Sequence, residues 1–131
     1  MYKAINLAQK LSTFSEHFRP RTIGQFNGHD LMVAKLEGPF PWHKHDETDD
    51  FFLVVQGRLT IQLRDGDLKL GPGELFVVPR GVEHRPVADE GEVHILPSRR
   101  AARLTRVTRP PRRRASRSSR LLKYWRGGWW S

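Results

Sequence analysis

His43 and His45 stand two residues apart, and in an extended chain alternate side chains point the same way. Both imidazoles then face one side and Lys44 the other. Four carboxylates follow at once, Asp46, Glu47, Asp49 and Asp50, and a further histidine, His84, comes just after the turn Pro79-Arg80-Gly81. Imidazole nitrogens with one carboxylate oxygen suit a divalent transition metal such as Zn, Mn, Fe or Ni. Such an ion with an open position polarises a carbonyl, activates bound water or, as iron, binds dioxygen. The plain alternative is that His43 and His45 are exposed strand residues and His84 an ordinary turn histidine. His17, His29 and His94 have no partner by spacing.

The elements that must position these residues are mostly strands. Leu31, Val33 and the run Phe51–Val55 look β-like, Gly57–Leu63 forms a further strand, and Asp65-Gly66 is a hairpin signal leading to Leu68–Leu70. Gly71-Pro72-Gly73 turns the chain into Leu75–Val78, Pro79-Arg80-Gly81 turns it again, and Val93–Leu96 begins a last strand. Many short strands with frequent turns predict an all-β sandwich or barrel. Ahead of them, Ala4, Leu7, Leu11, Phe14 and Phe18 recur at helical steps, so a helix is expected over residues 3–18, ended by Pro20 and covering a sheet face or a barrel end.

The 131 residues suggest one domain, and the net charge of +9 is unevenly spread. Residues 98–131 hold eleven Arg, one Lys and no acid, +12 in all, so residues 1–97 carry −3. Any nucleic-acid contact would concern that basic segment alone, through Arg112-Arg113-Arg114 and the later aromatic residues. The absence of cysteine excludes disulfides and thiolate metal sites. No apolar run approaches the ~18 residues that span a bilayer and no signal-peptide core is visible, so a cytoplasmic location with no membrane contact is expected. The division expected is a helical segment over 1–20, a barrel over 21–97 and a basic, disordered tail over 98–131.

The stretch from Gly38 through Trp42-His43-Lys44-His45 and Asp50 to Gly57 resembles the first cupin motif, G-x5-H-x-H-x(3,4)-E-x6-G. The stretch from Gly73 through Pro79-Arg80-Gly81 to His84 resembles the second, G-x5-P-x-G-x2-H-x3-N. Fifteen residues lie between Gly57 and Gly73, the compact spacing of small microbial cupins. The phrases Trp42-His-Lys-His, Gly73-Glu-Leu-Phe-Val-Val-Pro and Gly81-Val-Glu-His-Arg-Pro are similar to single-domain cupins described as mannose-6-phosphate-isomerase-like.

The resemblance implies a double-stranded β-helix, or jelly-roll barrel, and the metal ligands His43, His45, Asp50 and His84. Asp50 takes the glutamate position one methylene shorter, with Asp49 or Glu47 as substitutes. Gly38 sits one residue nearer to His43 than in the motif, and Ala88 stands where Asn is usual. Three uses of the metal follow. One is an enzyme acting on a small polar molecule such as a sugar, by isomerase-like chemistry. The others are an Fe or Ni dioxygenase and a non-catalytic metal- or ligand-binding module. Enzymatic use is the reading favoured, and a homodimer is implied by the resemblance. Relatives of this pattern continue with a phrase like Glu-Pro-x-Gly-Thr where this chain turns Arg-rich. One encoding of Pro97–Arg103 spells Glu-Pro-Ala-Gly-Gly-Thr when read two nucleotides on. The basic segment is therefore expected to be a reading-frame artefact or a frameshifted variant, with the barrel's last strand cut short.

Overall fold

The computed structural model describes residues 2–101 as an all-β structure with one short N-terminal helix. The strands are β1 (Arg21–Phe26), β2 (His29–Pro39), β3 (Asp50–Gln56), β4 (Leu59–Leu63), β5 (Gly66–Leu70), β6 (Leu75–Val78) and β7 (His84–Arg100). All pair antiparallel, in the order β1-β2-β7-β3-β6, with β4 joining β5 to β7. β7 links the two halves. Its first residues, His84–Val87, pair with β4, and its last, from His94 onward, lie between β2 and β3.

The buried core follows from the two-residue period of the strands. Phe52 and Val54 alternate inward on β3, Leu36 on β2, Ile61 on β4 and Ile95 on β7, all with no more than traces of exposure. Gly57 closes β3 at φ 90°, and a Cβ there would lie 2.9 Å from the Glu92 carbonyl oxygen, so only glycine fits that crossing.

Two sequence expectations are corrected, the N-terminal helix and the last strand with the start of the tail, and one strand is added. The helix α1 spans only Leu7–Leu11, not 3–18. Asn6 caps it by accepting from the Gln9 amide, while the hydroxyls of Ser12 and Thr13 bond back to Gln9 and Lys10 and end it. The residues beyond are used differently: Phe18, at φ 58°, stacks on Phe40 with ring centroids 5.0 Å apart. Strand β1 was not anticipated, although Asn27 (φ 49°) and Gly28 (φ 74°) form the two-residue turn that joins it to β2.

The last strand is not cut short. β7 continues through Arg100, with Ser98 opposite Leu31 and Phe51, Arg99 opposite Asp30 and Arg100 opposite His29. The composition break at Pro97-Ser98 is thus no break in the ladder. Of the expected disordered tail 98–131, Ser98, Arg99 and Arg100 are ordered in β7, which corrects that expectation there; the remainder of it, with the frameshift and nucleic-acid readings of residues 102–131, lies outside the described residues.

Candidate metal centre

Each of the four expected ligands is placed by a distinct piece of backbone. His43 follows β2 and is locked to His84 at the start of β7 by a pair of backbone hydrogen bonds, 3.0 and 2.8 Å. The His45 carbonyl accepts from the amide of Gly81, whose φ of 78° turns the chain towards His84. Asp50 opens β3 and points inward because Phe52 and Val54 on the same face do. His43, His45, Asp50 and His84 each bring one ligand-type atom within 4.8 Å of the others, a group that could hold a metal ion. Lys44 points away and pairs with Asp46, as the alternation of an extended chain requires.

Burial and hydrogen bonding define the chemistry of the group. Asp50 and His84 are each 1% exposed. Nδ1 of His43 donates to the Pro41 carbonyl and Nδ1 of His84 to the Val82 carbonyl, since a carbonyl oxygen can only accept. The proton of each neutral ring is therefore on Nδ1, and Nε2 carries the lone pair. Asp50 Oδ2 lies 3.2 Å from His84 Nε2 and 3.4 Å from His45 Nε2. Lone pairs facing one another at that distance repel unless a proton or a metal ion stands between them. Asp50 Oδ1 is buried without a hydrogen-bond partner among the described residues. Fixed imidazole tautomers, converging Nε2 atoms and a buried carboxylate oxygen fit a divalent transition metal.

The electrostatics agree with that reading. Burial first, then the neighbouring His84, lowers His43 to about 3, so this ring stays neutral and available as a ligand. Burial opposes ionisation of Asp50, but in the metal-free chain a proton held between its carboxylate and Nε2 of His45 or His84, with the Arg99 guanidinium nearby, outweighs it and holds the carboxyl well below the usual carboxylate range.

Of the other carboxylates weighed from the sequence, Asp49 is turned outward to accept the Arg80 amide at 2.9 Å, and Glu47 is not in the group. Trp42 packs under the guanidinium of Arg64 at 3.9 Å and of Arg85 at 5.4 Å.

Two features escaped the sequence reading. The first is Arg99, 6% exposed, whose Nη1 lies 3.5 Å from His45 Nε2. The signal was the strand period: Val93, Ile95, Pro97 and Arg99 all face inward. The second is a surface cluster in which Glu92 accepts from His17 at 2.6 Å and from His94 at 2.8 Å. Those two histidines do have a partner, brought from 75 residues away in the case of His17.

Residues 31–97 match the family described as "Cupin domain". The chain belongs to the cupin family. A cupin-2 domain protein from Shewanella frigidimarina is similar at 42% identity, with a TM-score of 0.70, over 72% of this chain and 91% of that one. Protein NMB1881 from Neisseria meningitidis is similar at 29% identity and a TM-score of 0.68, over 76% of this chain and 100% of that one. Among curated sequences, the uncharacterized protein YdbB from Bacillus subtilis is 29% identical over 86 residues, 65% of this chain and 76% of that protein. No helix among the described residues is long and apolar enough to cross a membrane.

Proposed function

We propose that this cupin holds one divalent transition metal, Zn, Mn, Fe or Ni, on His43, His45, Asp50 and His84. With that ion it acts as a metal-dependent enzyme on a small polar molecule such as a sugar, by isomerase-like chemistry, in the cytoplasm. The observation that carries the reading is the buried confrontation of lone pairs: Asp50 Oδ2 within 3.4 Å of two Nε2 atoms, with Nδ1 of His84 already committed to a carbonyl. A divalent cation that takes the lone pairs of both the carboxylate and the imidazoles satisfies that arrangement in full.

When bound, the metal would supply Lewis acidity for a substrate carbonyl or hydroxyl. The chain's own contribution is to prepare the ligands. The Pro41 and Val82 carbonyls fix the imidazole tautomers and ring planes. Phe40 and Phe52 wall the cluster, meeting the rings of His43 and His84 edge-on at 5.3 and 6.0 Å, which excludes water from the buried side. Of the four ligands His45 is the least buried, so the approach for a small molecule is from its side.

Elemental analysis of protein purified without a metal-affinity column tests the metal, and a screen of sugars and related hydroxy-carbonyl compounds tests the reaction. The expected result is about one transition-metal ion per chain and turnover that a chelator abolishes. Protein that takes up no ion, even on incubation with each candidate metal, would overturn the reading.

A further inference from the structure

Arg99 is a buried cation with no anion against it. Its side chain faces the barrel interior from the end of β7, yet among the described residues no carboxylate oxygen comes within 4.0 Å of the guanidinium. Asp50 and Asp30 act on it only through space. Its contact in the site is the long one to His45 Nε2, at 3.5 Å. Buried guanidinium groups are ordinarily paired, because an isolated charge in a dry interior is costly. An arginine left in this state beside a ligand group is placed for a partner that arrives from outside.

Two further considerations point to what that partner is. The lone pair on His45 Nε2 is the one a metal would take, so a loaded site frees the Arg99 N–H groups for another acceptor. The charges also fail to balance: three neutral imidazoles, the Asp50 carboxylate, one guanidinium and one divalent ion leave an excess of two positive charges, which the partly buried Asp30 reduces to one without cancelling it. Surrounding dipoles do not cancel such an excess cheaply, whereas a ligand oxyanion does. The planar fork of a guanidinium matches carboxylate and phosphate oxygens alike.

We propose that Arg99 makes this site selective for small oxyanions, a carboxylate or a phosphate group held between the metal and the guanidinium. The inference rests on the metal site proposed above and narrows its polar substrate to an acidic one, such as a hydroxy acid, a sugar acid or a sugar phosphate. Arg99 is then a binding residue that sets substrate class.

The test uses the full chain loaded with Co2+, titrated with glycolate, inorganic phosphate and the neutral glycolamide. Binding is followed by the visible absorption of Co2+ and by calorimetry. Glycolate or phosphate should bind at least ~10-fold more tightly than glycolamide, and Arg99→Gln should erase that preference. Co2+ affinity should be unchanged or raised in the variant, because a neighbouring positive charge has gone. Arg99→Lys should keep part of the preference. Arg99→Met, which preserves the packing of the stem, carries the same comparison if the Gln variant does not fold. A chain that binds no Co2+ overturns the metal reading together with this one. A chain that binds Co2+ normally but takes glycolate and glycolamide equally overturns the anion site alone, as does an anion preference that survives Arg99→Gln and Arg99→Met.

Discussion

Histidine meets carboxylate twice in this protein, and the two meetings differ in kind. In the barrel, His43, His45 and His84 surround Asp50, with Asp50 and His84 almost wholly buried. On the surface, His17 and His94 share Glu92, with Glu37 3.8 Å from the other nitrogen of His17. In the surface cluster each Nε2–H donates directly to a carboxylate oxygen. That arrangement is complete as it stands and ties the N-terminal segment to β7. In the barrel the backbone carbonyls of Pro41 and Val82 have taken the Nδ1 protons, so lone pairs face the carboxylate. Residue type alone does not suit a group to a metal; burial and the direction of the second-nitrogen hydrogen bond do.

Removing the end of β7 should damage the barrel cluster most and leave the surface cluster whole. Truncation after Leu96 strips the residues that pair with His29, Asp30, Leu31, Phe51 and Phe52 and takes away Arg99, while every residue of the surface cluster remains. Thermal unfolding monitored by circular dichroism should show the cooperative transition lost or greatly lowered. A chain ending at Ala101 keeps all of the described pairing and should unfold like the full protein.

The next effect is acid lability of the metal-free protein. His43 is depressed from 6.5 to about 3, so between those values the unfolded chain binds a proton that the folded one refuses. Its contribution is fully present above pH 6.5 and is lost as pH falls towards 3, on the order of 5 kcal/mol in all. Asp50 and Glu92, both depressed, add stability above the ordinary carboxylate range that is lost only below it, with Glu92 contributing little because it is exposed and screened. Denaturant titrations at pH 7, 5.5 and 4.5 should therefore show a decline that Glu92→Gln leaves in place. A flat profile over that window would contradict the burial of a neutral His43.

Smaller changes sharpen the contrast. Asp50→Asn removes the only carboxylate of the buried group and should cost the metal-free fold on the order of 2 kcal/mol, read as a shift in the urea midpoint. Glu92→Gln keeps the shape of the surface cluster and should cost no more than about 1 kcal/mol, with metal uptake unaltered.

The pieces that were legible in the sequence were those with local grammar. His43-Lys44-His45 declares its two-sided alternation, and Gly73, Gly81 and Gly57 mark turns whose positive φ values the structure shows. The structure therefore brings His84 to His43 through a turn the sequence already signalled. What escaped depended on contacts between distant segments or on a weak local rule overruled by packing. Phe14 and Phe18 have helical spacing, but Ser12 and Thr13 close the helix ahead of them. Beyond it Phe18 stacks on Phe40 in the barrel and Lys35 reaches the Phe14 carbonyl at 2.7 Å, so tertiary contacts hold both residues outside it. The strand β1 had its signal in Asn27-Gly28. Arg99 was assigned to a basic tail because composition changes at Pro97, while the alternation that carries it inward runs straight across that boundary.

The most direct test of the central claim is a metal titration of the apoprotein, by calorimetry with Zn2+ or Co2+, on the wild type, His84→Ala and Glu92→Gln side by side. Wild type and Glu92→Gln should each take up one equivalent, and His84→Ala should bind at least ~100-fold more weakly, because three remaining groups cannot close the shell. One full-affinity equivalent retained by His84→Ala, or lost by Glu92→Gln, would contradict the assignment of the metal to the buried cluster.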